Sequence, residues 1–165
     1  MKKRFLAICA LLIVLCCFTA CGSSKEASQK NTGEISIDEV VSKIKAVNPV
    51  ADEREIDDFA LKNEMGLNPK DIEEYRGVIT NSQNDCSLIF VAKAKPGKIR
   101  ELKKELSDYL ASLSANDLYV EFADKIEKTK QARVLVFDDY AVLSIAGLNV
   151  NNEDVIKAIN AAFEE

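Results

Sequence analysis

The stretch Tyr75-Arg76-Gly77-Val78-Ile79-Thr80, Asn81-Ser82-Gln83-Asn84-Asp85, Cys86-Ser87-Leu88-Ile89-Phe90-Val91-Ala92-Lys93-Ala94 decides the fold. Its outer runs are rich in Val, Ile and aromatic residues, which suit a pleated surface. The five residues between them are turn formers, so the pattern predicts a β-hairpin over 75–94. In the second run Leu88 and Phe90 alternate with Ile89 and Val91, leaving no polar face. Such a strand belongs inside a sheet, with its second face covered by the N-terminal helix or by a partner.

Working outward, Ile99, Leu102, Leu106, Tyr109, Leu110 and Leu113 recur at helical spacing after Pro96 and Gly97, opposite a Lys and Glu face. A less regular helix is expected from Asp117, carrying Leu118, Phe122 and Ile126. Residues 132–137 and 140–147 form a second hairpin with Asp138 and Asp139 at its tip, and a last helix capped by Asn151 or Asn152 packs through Val155, Ile156, Ile159, Ala162 and Phe163. Upstream, Ser36 and Glu39 read as a capping box before Ile37, Val40, Val41, Ile44 and Val47, ending at Pro49. Residues 50–55 are acidic and irregular; Asp57 caps a short helix that ends at Gly66, and Pro69 opens another turn.

Residues 75–113 and 132–163 share the order strand, strand, helix without residue identity. The fold class is therefore α+β: a four-stranded antiparallel sheet from two β-hairpins, with helices packed on one face in two layers, preceded by an N-terminal helix.

The first residues read as an address. Lys2, Lys3 and Arg4 precede an uncharged apolar run of 14 residues from Phe5 to Phe18, the size of a signal-peptide core and short of the roughly 20 that span a bilayer. Phe18-Thr19-Ala20-Cys21-Gly22-Ser23-Ser24 resembles the lipobox of bacterial lipoproteins, with Phe18 where Leu is usual. The resemblance implies a diacylglyceryl group on the Cys21 thiol and cleavage between Ala20 and Cys21. The alternative is a plain secretory signal cut nearby. Residues 22–34 contain one apolar residue, Ala27, and cannot bury enough surface to order themselves. The expected organisation is a lipoprotein signal peptide over 1–20, the lipidated cysteine and a flexible linker over 21–35, and a single domain over 36–165.

Of five cysteines, Cys9, Cys16 and Cys17 leave with the signal and Cys21 carries the lipid, so Cys86 remains with no partner for an intramolecular disulfide. It reads as a small buried hydrophobe or, alternatively, a reactive thiol.

The chain has 22 Lys and Arg against 27 Asp and Glu and no histidine. The balance argues against nucleic acid as a partner, and the missing imidazole removes Ser-His, Cys-His and His-bearing zinc chemistry. Loss of residues 1–20 would delete Lys2, Lys3 and Arg4 but no acid, leaving 19 cations against 27 acids. Such a charge keeps a domain off anionic lipid, so its place at a membrane would need the anchor.

Asp52, Glu53, Glu55, Asp57 and Asp58 invite a calcium reading but lack the spacing and glycine of a calcium loop; the repulsion between Asp138 and Asp139 is one a bound cation could relieve, yet Asp is also an ordinary turn residue. Lys93, Lys95, Lys98, Arg100, Lys103 and Lys104 could meet an anionic partner, or form the wet face of a helix paired with its own Glu residues. No acidic pair stands out for carboxylate-based hydrolysis, and no nucleophile elbow or phosphate loop is present. No catalytic, metal or cofactor residue is assigned, and no cofactor is expected.

Leu61 to Asn81, with Met65-Gly66-Leu67-Asn68-Pro69 and Asp71-Ile72-Glu73-Glu74-Tyr75, resembles an uncharacterised domain-of-unknown-function family of small Gram-positive lipoproteins, as does the hairpin strand from Ser87 to Lys93. The resemblance implies a lipobox, a polar linker and a hairpin leading into a charged helix, and carries no catalytic residue. The expected function is a non-enzymatic, membrane-tethered interaction or accessory domain on the extracytoplasmic face, with an envelope protein as partner. A solute- or ion-binding module serving a transporter or envelope sensor is the alternative, and a carboxylate hydrolase of envelope polymers the third class.

Overall fold

The computed structural model describes residues 35–115 and 123–164. The expected signal peptide, the Ala20/Cys21 cleavage site and lipid anchor, and Leu118 and Phe122 lie outside them. The strands are β1 (Glu53–Glu55), β2 (Ile72–Thr80), β3 (Leu88–Ala94), β4 (Val134–Phe137) and β5 (Tyr140–Ile145). The helices are α1 (Ile37–Val47), α2 (Ile99–Leu113), α3 (Ala123–Gln131) and α4 (Asn152–Glu164). No helix among the described residues is long and apolar enough to cross a membrane.

The strand with no polar face sits where its composition demands. In β3, Leu88, Phe90, Ala92 and Ala94 enter one core with Ala141, Leu143 and Ile145 of β5, while Ile89 and Val91 enter a second core with Tyr140 and Val142. All the strands pair antiparallel in the order β1-β2-β3-β5-β4, which makes β3 the middle strand.

The sheet has five strands, not the four expected. The additional one is β1, inside the stretch 50–55 that reads as irregular. Glu53, Arg54 and Glu55 give no apolar alternation, and their pairing with Thr80, Ile79 and Val78 is carried by backbone groups common to every residue. Salt bridges of Lys45 to Glu53 at 2.5 Å and Arg54 to Glu64 at 2.7 Å keep this edge charged.

The helices also occupy both faces, correcting the two-layer expectation. Leu102, Leu106 and Tyr109 of α2 join the first core with Ala60, Leu61, Met65 and Leu67. Ile37, Val40, Val41 and Ile44 of α1 join the second with Val155, Ile159 and Ala162 of α4. A two-fold axis normal to the sheet exchanges neighbouring antiparallel strands and would leave α2 and α4 on the same face. Their opposite placement shows that the strand-strand-helix order is not a symmetric duplication. The second face of β3 is covered from within the chain.

Local chemistry sets the ends of these elements. Ser36 Oγ accepts from the Glu39 N–H at 3.4 Å at the start of α1, Asp57 Oδ1 accepts from the Ala60 N–H at 2.8 Å, and Asn151 Oδ1 accepts from the Glu153 N–H at 2.8 Å before α4. The turn capped by Asp57 winds into a π-helix over Ala60–Glu64 and ends at Gly66, whose φ of +68° suits glycine. Strand β2 starts at Ile72, earlier than expected, with a bulge between Ile72 and Glu74; β3 starts two residues late, so Cys86 lies in the preceding loop.

Gly77 is the tightest point of the first core. A Cβ there would lie 2.8 Å from Ile56 Cδ1, 2.8 Å from Phe90 Cδ2 and 2.9 Å from the Ile89 carbonyl oxygen. Phe90 is fully buried and Ile89 O is backbone, so neither yields easily. Gly77→Ala is expected to destabilise the domain by about 1–3 kcal/mol, read as a lower urea midpoint at unchanged slope; an unchanged midpoint would show that the contact relaxes freely.

Candidate functional site

Where β2, β3 and β5 end, the loop 81–87 turns back beneath the C-terminal end of α2 and beside α3. Their side chains bound a cleft of about 500 Å³. Ile79, Leu88, Tyr109, Leu113, Ile126 and Ile145 make its walls largely apolar, while Thr80, Asp85, Cys86, Lys125 and Thr129 bring polar atoms. The aliphatic ones stand at strand ends and on one face of each helix, so the cleft follows from where the sheet stops and the helices continue.

Among the described residues Asp85 is the only carboxylate on its wall. Oδ2 accepts from the Ser87 hydroxyl at 2.6 Å and Oδ1 from the Leu148 N–H at 3.1 Å. Burial pushes this carboxyl upward, but the donors, which include the Cys86 and Ser87 N–H groups, outweigh it and hold it below its ordinary value. Oδ1 thus ties the β2–β3 loop to the chain beyond β5, while Oδ2 braces the loop from within. Gly147 completes the clamp: a Cβ there would stand 3.2 Å from Asp85 Oδ1.

Cys86 faces the cleft half-buried, its Sγ 3.6 Å from the Ala146 carbonyl oxygen. Burial, then the charge of Asp85, pushes the thiol up to about 11 against the opposing pull of Lys125 and Lys128. At neutral pH it is a protonated thiol, the less nucleophilic form. Burial likewise raises the Tyr109 hydroxyl, helped by Glu64 and opposed by Arg54.

Behind the cleft lies a polar lock absent from the sequence-based expectations. Asn48, at the end of α1, is fully buried. Its amide donates to Ser144 Oγ at 3.2 Å and to the Ile145 carbonyl at 2.9 Å, and its oxygen accepts from the Gly147 N–H at 3.0 Å. Ser144 Oγ donates onward to the Leu88 carbonyl at 3.0 Å. Asn48 and Asp85 therefore hold the successive N–H groups of Gly147 and Leu148. The available signal was an Asn closing an apolar helix just before Pro49, which reads equally as a simple stop.

The other sequence-singled residues do not converge on the cleft. In the acidic run, Glu53 pairs with Lys45, Asp57 caps a turn, and Asp58 accepts from the Tyr75 hydroxyl at 2.6 Å. That phenol is pushed up to about 12 by burial and by Asp58. Asp138 takes a φ of +51° in the turn between β4 and β5. Among the described residues no three His, Cys, Asp or Glu side chains are grouped to hold a metal ion. In the basic cluster, Lys93 meets Glu73 at 3.0 Å, Lys98 meets Asp71 at 3.2 Å, and Lys104 meets Asp108 at 2.5 Å. Of these pairs only Lys104–Asp108 lies within α2 as the wet-face reading expects; Lys93 and Lys98 are paired with acids of β2 and the turn before it.

Residues 45–146 match the family described as a domain of unknown function, DUF4358. The chain belongs to this family. The match runs from the end of α1 through β5, so the DUF4358 region holds the whole sheet, every named wall residue of the cleft, and Asn48 and Asp85 of the lock. Helix α4 lies beyond it. No curated protein and no solved structure matches the chain.

The raised Cys86 thiol has a measurable sign. Below its ordinary value of 9.0 the proton is bound in both folded and unfolded chains and the stabilisation is complete; it is lost as pH rises toward about 11. At neutral pH, alkylation of Cys86 by iodoacetamide should run at least about 10-fold slower in the native DUF4358 domain than in urea, because the raised pKa cuts the thiolate fraction by more than the greater nucleophilicity of a more basic thiolate restores. Peptide mass spectrometry reads the rate at Cys86 itself, and equal rates would contradict the burial argument.

Proposed function

We propose that this protein is an exported lipoprotein, anchored through Cys21, whose DUF4358 domain acts outside the membrane as a non-enzymatic interaction module. The observation that carries the reading is the run from Lys2 through Cys21: three cations, an apolar core too short to span, and Thr19-Ala20 before a cysteine. The polar stretch 22–34 supplies the tether. The acidic balance of the remaining chain argues for a covalent hold on the membrane over electrostatic docking. On the chemical side, the cleft thiol is protonated at neutral pH and the Asp85 carboxylate is engaged by Ser87 and Leu148. Carboxylate hydrolysis needs two free acids flanking a bond, and the described residues of this cleft's wall include one acid, which is engaged.

A second reading rests on the cleft itself. About 500 Å³ of largely apolar space suits a small ligand with an apolar body, which would make the domain a solute-binding module serving a transporter or envelope sensor.

The anchor is tested by Cys21→Ala or by globomycin. Either is expected to abolish retention of the mature form in the membrane fraction, and retention of Cys21→Ala as strong as wild type would sink the anchor. The solute reading is tested by thermal shift against small apolar metabolites. A native-state ligand at 100 times its dissociation constant adds about 2.7 kcal/mol, and a flat response across the panel would leave the interaction module as the better account.

A further inference from the structure

The two edges of the sheet are built differently. At one, β1 presents three charged residues, with Glu53 and Arg54 in ion pairs, which discourages further strand pairing. At the other, β4 is Val134-Leu135-Val136-Phe137, and no described strand pairs with its outer side. A two-residue turn joins it to β5 with Phe137 opposite Tyr140 and Leu135 opposite Val142. In such a hairpin the closing pair is hydrogen-bonded and the pairs alternate, so Phe137 and Leu135 direct their N–H and C=O groups to β5. Those of Val134 and Val136 point outward. Val136 is also 37% exposed, one of four large apolar side chains so placed among the described residues.

Charges flank this edge asymmetrically. Arg133 before it and Asp138 after it are both exposed, and neither side chain has an ion-pair or hydrogen-bond partner among the described residues. Asp139 adds a second acid at the same end. A strand that starts basic and ends acidic is complementary to itself when the copies run antiparallel.

We propose that β4 pairs antiparallel with β4 of a second copy, joining two sheets into one. The outward groups choose the register. Leu135 opposite Leu135 of the second copy puts Val134 against Val136 in both directions, engaging all four outward N–H and C=O pairs. Each Arg133 then lies beside the Asp138 end of the other copy. The symmetry is a two-fold axis normal to the sheet, the closed arrangement of most homodimers. It leaves the α1 and α4 layers of both copies on one side. Ile35, the first described residue, packs into that layer, so Ile35 of both copies lies on the same side of the joined sheet, which suits two anchors on one membrane. The pairing itself does not depend on the proposed anchor.

The test is sedimentation equilibrium of the full chain in density-matched detergent, at concentrations well above micromolar. Wild type should sediment as twice the 18.2 kDa chain. Val136→Pro removes an outward N–H and leaves the β4–β5 ladder intact, and Val136→Lys places a charge on the edge; each should give monomers with unchanged far-UV circular dichroism. Arg133→Asp and Asp138→Lys should each be monomeric alone and recover the dimer when mixed in equal amounts. A monomeric wild type overturns the proposal, including the case in which it captures a foreign strand instead. So does a dimer that survives both Val136 variants while they remain folded, or a charge-swapped mixture that stays monomeric.

Discussion

A strand with no polar face dictates the rest of this domain. Leu88, Phe90 and Ala92 on one side of β3 and Ile89 and Val91 on the other are all removed from water, and neither set can be exposed without the loss of several kcal/mol of apolar burial. A sheet built around such a strand needs a neighbour on each side and a layer above and below. β5 meets the same demand, with every residue from Tyr140 to Ile145 buried, and the two lie side by side. The α1 and α4 layer covers one face; α2 and the turns around Leu61 and Leu67 cover the other.

That requirement was legible in the sequence because burial writes itself into alternating and periodic side chains. Helix α2 shows through Leu102, Leu106 and Tyr109, and both hairpins show through their β-branched runs and turn residues. Strand β1 did not show, because Glu53-Arg54-Glu55 joins the sheet through main-chain groups and salt bridges that any charged stretch could make. Nor did the side taken by each helix. Amphipathic spacing says that Val155 and Ile159 face a core without saying which core, and a repeated element order suggested a symmetry that the chain does not have.

The cleft and its polar surroundings were illegible for a different reason. Asp85, Ser87 and Asn48 are among the commonest residues of turns and helix ends, and their local reading was satisfied without further partners. Asn48 and Asp85 act through Gly147 and Leu148, some sixty to one hundred positions away in the chain. Cys86 likewise is held protonated at neutral pH chiefly by the burial around it, which its immediate run does not show, with a further push from its neighbour Asp85. Buried polar groups of this sort rigidify a core when every member is satisfied, and among the described residues no buried side-chain polar atom lacks a partner.

The Asn48 lock also couples the first helix of the domain to the interior of the sheet. A pull at Ile35 enters α1 at its first turn, and the far end of that helix is bonded through Asn48 to Ser144, Ile145 and Gly147, at the end of a central strand. Tension is therefore passed to the end of β5, a strand buried along its whole length.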